Sequence, residues 1–135
     1  MRDLIREIGM EERIHLVGET RFVKAWLDTF DLFLLTSFIE GLPNVLIEAQ
    51  AFGVPVITTN AGGASDTIVH GETGYVVEDN SKEIADRILS CLSDKNWLEN
   101  ASSLSMTHAR NKFSPENMSE KLLEIYDKSL QDYIE

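Results

Sequence analysis

Two short runs, DLFLLT (31–36) and VPVITT (54–59), are almost continuously apolar where a strand with one wet face would alternate. Such strands are covered on both faces, as in parallel sheets, and parallel neighbours need a helical crossover between them. The stretch from Pro43 to Phe52 supplies one, reading as a helix stopped by Gly53. The alternation extends in both directions. RIHLVG (13–18) reads as a strand, and Phe22 to Phe30 as a helix with Phe22, Ala25, Trp26 and Phe30 turned inward. Gly62 to His70 reads as a short helix, GETG (71–74) as a turn and YVVE (75–78) as the last strand. Right-handed βαβ units in a doubly wound α/β sheet are the economical solution. Outside that unit, RDLIREIGM (2–10) forms a short helix on Leu4, Ile5 and Ile8. Helices also follow at Ser81–Ser93, Trp97–Asn111 and Pro115–Ile134, the last with Ser114 as its N-cap.

At 135 residues the chain is a single domain, α/β over 1–80 and helical over 81–135. A net charge of −11 excludes a nucleic-acid surface, which needs clustered Lys and Arg. It leaves room for a small anion, because the amides at a helix start hold phosphate without a basic side chain. The lone cysteine, Cys91, sits in a helical apolar pattern and reads as inert packing in a reducing compartment. No run approaches the ~20 apolar residues of a membrane span, and the start is not a signal peptide, so the expected location is the cytoplasm. In a longer protein it would sit at a membrane only peripherally.

The segment IEGLPNVLIEA (39–49) places Glu40 and Glu48 on either side of the expected helix start at Pro43. Proline fits a first helical position, since its missing N–H would have no partner there anyway. Glu40 then lies on the loop leaving the strand. Glu48 lies ~6 Å beyond Asn44 along the axis, at ~1.5 Å per residue. The N–H groups of Asn44, Val45 and Leu46, with the helix dipole, make an anion site at the carboxyl edge of the sheet. A diphosphate seated there leaves a carboxylate on each side to accept hydrogen bonds from hydroxyls, and a nucleoside diphosphate sugar carries hydroxyls at both ends. A plainer reading stands beside it: a carboxylate near a helix start is stabilised by the dipole alone, and one charge on an apolar helix is its wet stripe.

The run SFIEGLPNVLIEAQAFGVPVITTNAGGASDTIVHGETGYVV (37–77) resembles the nucleotide-sugar-binding C-terminal domain of retaining GT-B glycosyltransferases of the GT4 type, the glycosyl transferases group 1. The E-x7-E pair, the EGLPNVLIEA helix, the GVPVI strand, the GG loop and the G-x-TG turn occur in that family's order, and the likeness is close from Arg13 to Val77. It implies half of a GT-B C-terminal domain: a partial doubly wound, Rossmann-like parallel sheet of about four strands with extra C-terminal helices. It implies a UDP-, GDP- or ADP-sugar as donor and transfer with retention of configuration. Glu40 is then the catalytic carboxylate beside the transferred sugar, and Glu48 accepts from ribose hydroxyls. Backbone amides of Gly41 and Leu42 contact the sugar, and those of Asn44 and Val45 the distal phosphate. The loop after Val17, with Gly18 and Thr20, borders the base. No cofactor or metal is implied, and the sequence contains no D-x-D triplet of the kind another transferase fold uses to hold a divalent ion.

The family's diphosphate clamp, an arginine and a lysine in a G-R-L…K-G type segment, has no counterpart here. The resemblance therefore implies truncation: two strands and the acceptor-binding N-terminal domain are missing, with weak binding and little or no catalysis expected of the chain alone. RIHLV would otherwise be an orphan edge. Either it moves in beside DLFLLT, giving four strands, or it pairs with a missing N-terminal half or a second copy in a swapped dimer. For the same reason Met118, Leu122, Ile125 and Leu130 on the last helix are expected to be partly exposed. Asp66 stands where the family more often has glutamate and is expected to cap the helix after Gly63. Two readings from other classes stay open: a non-catalytic nucleotide-binding or packing module, such as a split subunit, and a nucleotide-sugar epimerase. His15, His70 and His108 lie on separate elements and read as surface or turn residues, Gly62-Gly63 as a tight turn, and Trp26 and Trp97 as core.

Overall fold

In the computed structural model, which describes residues 1–134, three parallel strands lie in the order β1 (Phe33–Leu35), β2 (Val56–Thr59), β3 (Gly74–Val77). The register pairs Phe33 with Val56 and Leu35 with Thr58, then Val56 with Gly74 and Thr59 with Val77. The helices are α1 (Arg2–Glu7), α2 (Val23–Leu27), α3 (Asn44–Ala51), α4 (Ser81–Ser93), α5 (Lys95–Phe113) and α6 (Pro115–Ile134), with a 3-10 segment at Gly62–Thr67. Strand periodicity explains the two cores. Alternate residues of β2 face opposite ways, so Val56 packs with Leu46, Ala49 and Val54 on one side of the sheet, and Ile57 with Val77 and Cys91 on the other.

Helix α3 buries Leu46, Ala49 and Gln50, one face at helical spacing. It ends in a Schellman arrangement that needs a left-handed residue: Gly53, at φ 75°, donates its N–H to the Gln50 carbonyl (2.9 Å), and Val54 donates to Ala49 (2.9 Å). Helix α5 lies against α3 through Ala101, Ser105 and Ala109, small buried residues four apart that permit a close approach. Asn80 caps α4 by accepting from the N–H groups of Lys82 and Glu83, Asp94 caps α5 through Trp97, and Ser114 caps α6 through Asn117. Among the described residues no helix is long and apolar enough to cross a membrane.

Several expectations change. The sheet has three strands, not about four, because RIHLV forms no strand: residues 13–18 are exposed and do not move in beside β1. With nothing alongside, the apolar residues of that region have little to bury against. Of the α2 region only Leu27 is buried; Phe22 is 74% exposed, and Trp26 and Phe30 are partly exposed, so Trp26 is not core. Of the α1 trio only Ile5 is buried. The segment after Gly62 is 3-10 rather than α and ends at Thr67, where Thr67 Oγ1 turns back onto the Ala64 carbonyl at 2.7 Å. Asp66 falls near its end, and among the described residues the start of the segment has no side-chain cap. Met118, Leu122, Ile125 and Leu130 of α6 all face solvent.

Candidate functional site

The loop 36–43 leaves β1, and residues 60–61 leave β2, at the same carboxyl edge of the sheet. Two hydrogen bonds lace these connections together. Thr59 Oγ1 donates to the Ser37 carbonyl at 2.6 Å, and Gly63 N–H donates to the Glu40 carbonyl at 3.3 Å. Buried Gln50 ties α3 to the same unit, its Nε2 donating to the Thr67 carbonyl at 2.8 Å and to the Leu46 carbonyl at 3.0 Å.

Pro43 is the N-cap of α3, at φ −73° and ψ 103°, one position earlier than its expected place as first helical residue. Extended ψ suits the cap, and a residue without an N–H loses nothing there. The Leu46 N–H is then taken by the Pro43 carbonyl at 3.1 Å, so the helix start offers two amides rather than three. Among the described residues the N–H groups of Gly41, Leu42, Asn44 and Val45 meet no acceptor. Four unblocked donors thus fall within five residues at the positive end of a helix dipole. Glu40 stands four residues before Asn44 and is half-buried; Glu48 stands four after it and is exposed. Phe38 and Ile39, which precede Glu40 in the loop, are 84% and 88% exposed.

Gly18 and Thr20 lie elsewhere. They line a cleft of about 420 Å³ with His15, Val17, Trp26, Phe30 and Phe33, whose walls include none of the residues from Glu40 to Glu48. Thr20 Oγ1 there accepts the Phe22 N–H at 3.0 Å.

Sequence reasoning passed over the residues that hold the site in place. Thr59, Gln50 and Thr67 do so from inside, and α5 reaches in from behind: the His108 ring approaches the Thr67 carbonyl at 3.2 Å, and Lys112 Nζ donates to the Asp66 carbonyl. Burial, with the Lys112 ammonium adding to it, pushes the His108 pKa below its ordinary value, against the opposing pull of the Thr67 carbonyl. Gln50 carried a signal, being a polar residue in the apolar stripe of α3. Cys91, on α4, is buried against Ile57 of β2 and Val77 of β3, and that burial raises its thiol pKa, as inert packing requires. Among the described residues no three His, Cys, Asp or Glu side chains gather as metal ligands.

A parallel sheet covered on both faces, with a site at its carboxyl edge, is here the architecture of GT-B glycosyltransferase C-terminal domains. The family model for Glycosyl transferases group 1 matches residues 1–94, and the chain belongs to that family. It is 38% identical over 109 residues to the capsular polysaccharide biosynthesis glycosyltransferase CapM of Staphylococcus aureus, covering 80% of this chain and 29% of CapM. It is 49% identical over 73 residues to the Vi polysaccharide biosynthesis protein VipC/TviE of Salmonella typhi, covering 54% of this chain and 13% of that protein. Among solved structures it is similar to Anabaena HepE in complex with UDP, with a TM-score of 0.86 and 26% identity, covering 94% of this chain and 35% of HepE. The chain thus spans about a third or less of the length of these three proteins.

Proposed function

We propose that the start of α3 seats the diphosphate of a nucleoside diphosphate sugar, and that this chain is the donor-binding part of a retaining, metal-independent glycosyltransferase of the GT4 type. The observation that carries the reading is the set of four unblocked N–H groups at Gly41, Leu42, Asn44 and Val45, bracketed by Glu40 and Glu48. Asn44 and Val45 take the distal phosphate, and the α3 dipole stabilises the charge that builds on the leaving diphosphate. Gly41 and Leu42 donate to sugar hydroxyls. Glu48 accepts from ribose, and Glu40 lies beside the positive charge that develops at the anomeric carbon. Departure and attack then share one face of the sugar. The nucleobase is assigned to the loop carrying Gly18 and Thr20, as the family resemblance implies. Gly41 adds support: its φ is not positive and a β-carbon there would meet nothing within 4 Å, so the fold itself does not require glycine, whereas a ligand pressed on the backbone does. HepE, solved with UDP and with UDP-glucose, supports those two ligands as probes.

Isothermal titration calorimetry with UDP and UDP-glucose tests the division of roles. Glu48→Gln is expected to weaken both ligands by about tenfold, the scale of one hydrogen bond to a charged acceptor. Glu40→Gln is expected to weaken UDP-glucose and leave UDP unchanged. Equal losses in the two variants would contradict the assignment, and no heat from either ligand at millimolar concentration would contradict the site.

A further inference from the structure

Gly62 and Gly63 open the 3-10 segment against the backbone of residues 40–42. A β-carbon built on Gly62 overlaps the Glu40 carbonyl oxygen, and one built on Gly63 overlaps the Gly41 carbonyl oxygen and lies 3.0 Å from the Gly41 carbonyl carbon. Gly62 is also at φ 56°, so glycine is required there twice over, by conformation and by space; at Gly63 space alone requires it. The two carbonyls that fill this room belong to the peptide groups whose other ends are the N–H of Gly41 and the N–H of Leu42. Among the described residues no peptide bond is cis. In a planar trans peptide C=O and N–H point opposite ways, so carbonyls packed onto the glycines aim both N–H groups away from the 3-10 segment, where they meet no acceptor among the described residues.

We infer that Gly62 and Gly63 are positioning residues: the room they leave sets the direction of the Gly41 and Leu42 N–H groups that meet the sugar of the donor. This rests on the donor-site reading above. Their identity as a tight turn does not explain why both β-carbons are excluded by the same neighbouring loop, while Gly41 on that loop faces open space. The Gly63 N–H bond to the Glu40 carbonyl and the Thr59 bond to the Ser37 carbonyl hold the loop at that distance.

The test compares UDP with UDP-glucose binding by calorimetry in Gly63→Ala, with the amide resonances of Gly41 and Leu42 followed by NMR. Displacement of a positioning backbone by ~1 Å is costly, so Gly63→Ala is expected to weaken UDP-glucose about tenfold or more while UDP changes less than about twofold. Gly74→Ala is the structural control, since its β-carbon would overlap the Val56 carbonyl inside the sheet. It is expected to lower the melting temperature with the ratio of the two affinities unchanged. If Gly63→Ala does not fold, Thr59→Val, which keeps the buried shape and removes the donor to Ser37, is expected to give a smaller loss with the same preference. Equal loss of both ligands, or no loss, in a folded variant would overturn the inference. If the unaltered chain binds neither ligand, the donor reading fails on its own. Displaced Gly41 and Leu42 resonances in Gly63→Ala would still support the positioning role, and unmoved ones would overturn it.

Discussion

Strands β1 and β2 are neighbours drawn from similarly apolar runs, yet they end in different circumstances. β2 has a hydrogen-bonded strand on each side and a core cluster on each face, and all four of its residues are buried. β1 has a strand on one side only, its Leu34 is 40% exposed, and beyond it lies the cleft walled by Val17, Trp26 and Phe30. An apolar run therefore records what a segment is able to bury, whereas burial itself depends on what lies alongside. The candidate site sits on the seam between these regions. Its loop leaves the poorly covered strand, and its supports, Thr59, Gln50 and the two glycines, come from or pack against the well-covered side.

Side-chain truncation in the two strands measures how unequally they are packed. Ile57→Ala removes a fully buried side chain and is expected to cost about 2–5 kcal/mol in urea denaturation. Leu34→Ala, at an exposed edge position, is expected to cost about 1 kcal/mol or less. Equal costs would mean that β1 is as well packed as β2, against its exposure.

A smaller effect sharpens the picture of the supported side. The His108 pKa is held below its ordinary value of 6.5 in the fold, chiefly by burial. The unfolded chain therefore binds the proton more readily, and the contribution of His108 to stability is complete above about pH 6.5 and falls as the pH drops below it towards the depressed value. Thermal melts at pH 7.5 and 5.5 are expected to show a lower midpoint at the acid end, and His108→Gln is expected to reduce that difference. An identical pH response in the variant would show that the contact between α5 and Thr67 does not sense protonation.

Much of the architecture could be read from residue pattern alone. Continuous apolar runs gave two of the parallel strands, Gly53 the end of α3, and Ser114-Pro115 the start of α6. RIHLV misled because alternation and β-branching describe a strand's side chains and say nothing of a partner for its backbone. Pro43 misled by one position because both N-cap and first-turn placements suit a residue without an N–H, and only the observed ψ decides between them. At the candidate site, spacing set Glu40 before and Glu48 within the helix that starts after Pro43, where the structure has them, but the Leu46 N–H that it counted as free is taken by the Pro43 carbonyl. The residues that hold the site were not legible: Thr59, Gln50 and His108 act through backbone carbonyls 17 to 41 positions away, contacts that no local pattern encodes.

The proposed donor site sets backbone amides on either side of Pro43 against a nucleoside diphosphate sugar. Titration of the 15N-labelled chain with UDP-glucose, followed by amide chemical shifts, addresses it residue by residue. The resonances of Gly41, Leu42, Asn44 and Val45 are expected to move together and saturate with one affinity. Unmoved resonances at those four residues at millimolar ligand, or shifts confined to the cleft around Trp26 and Phe30, would contradict it.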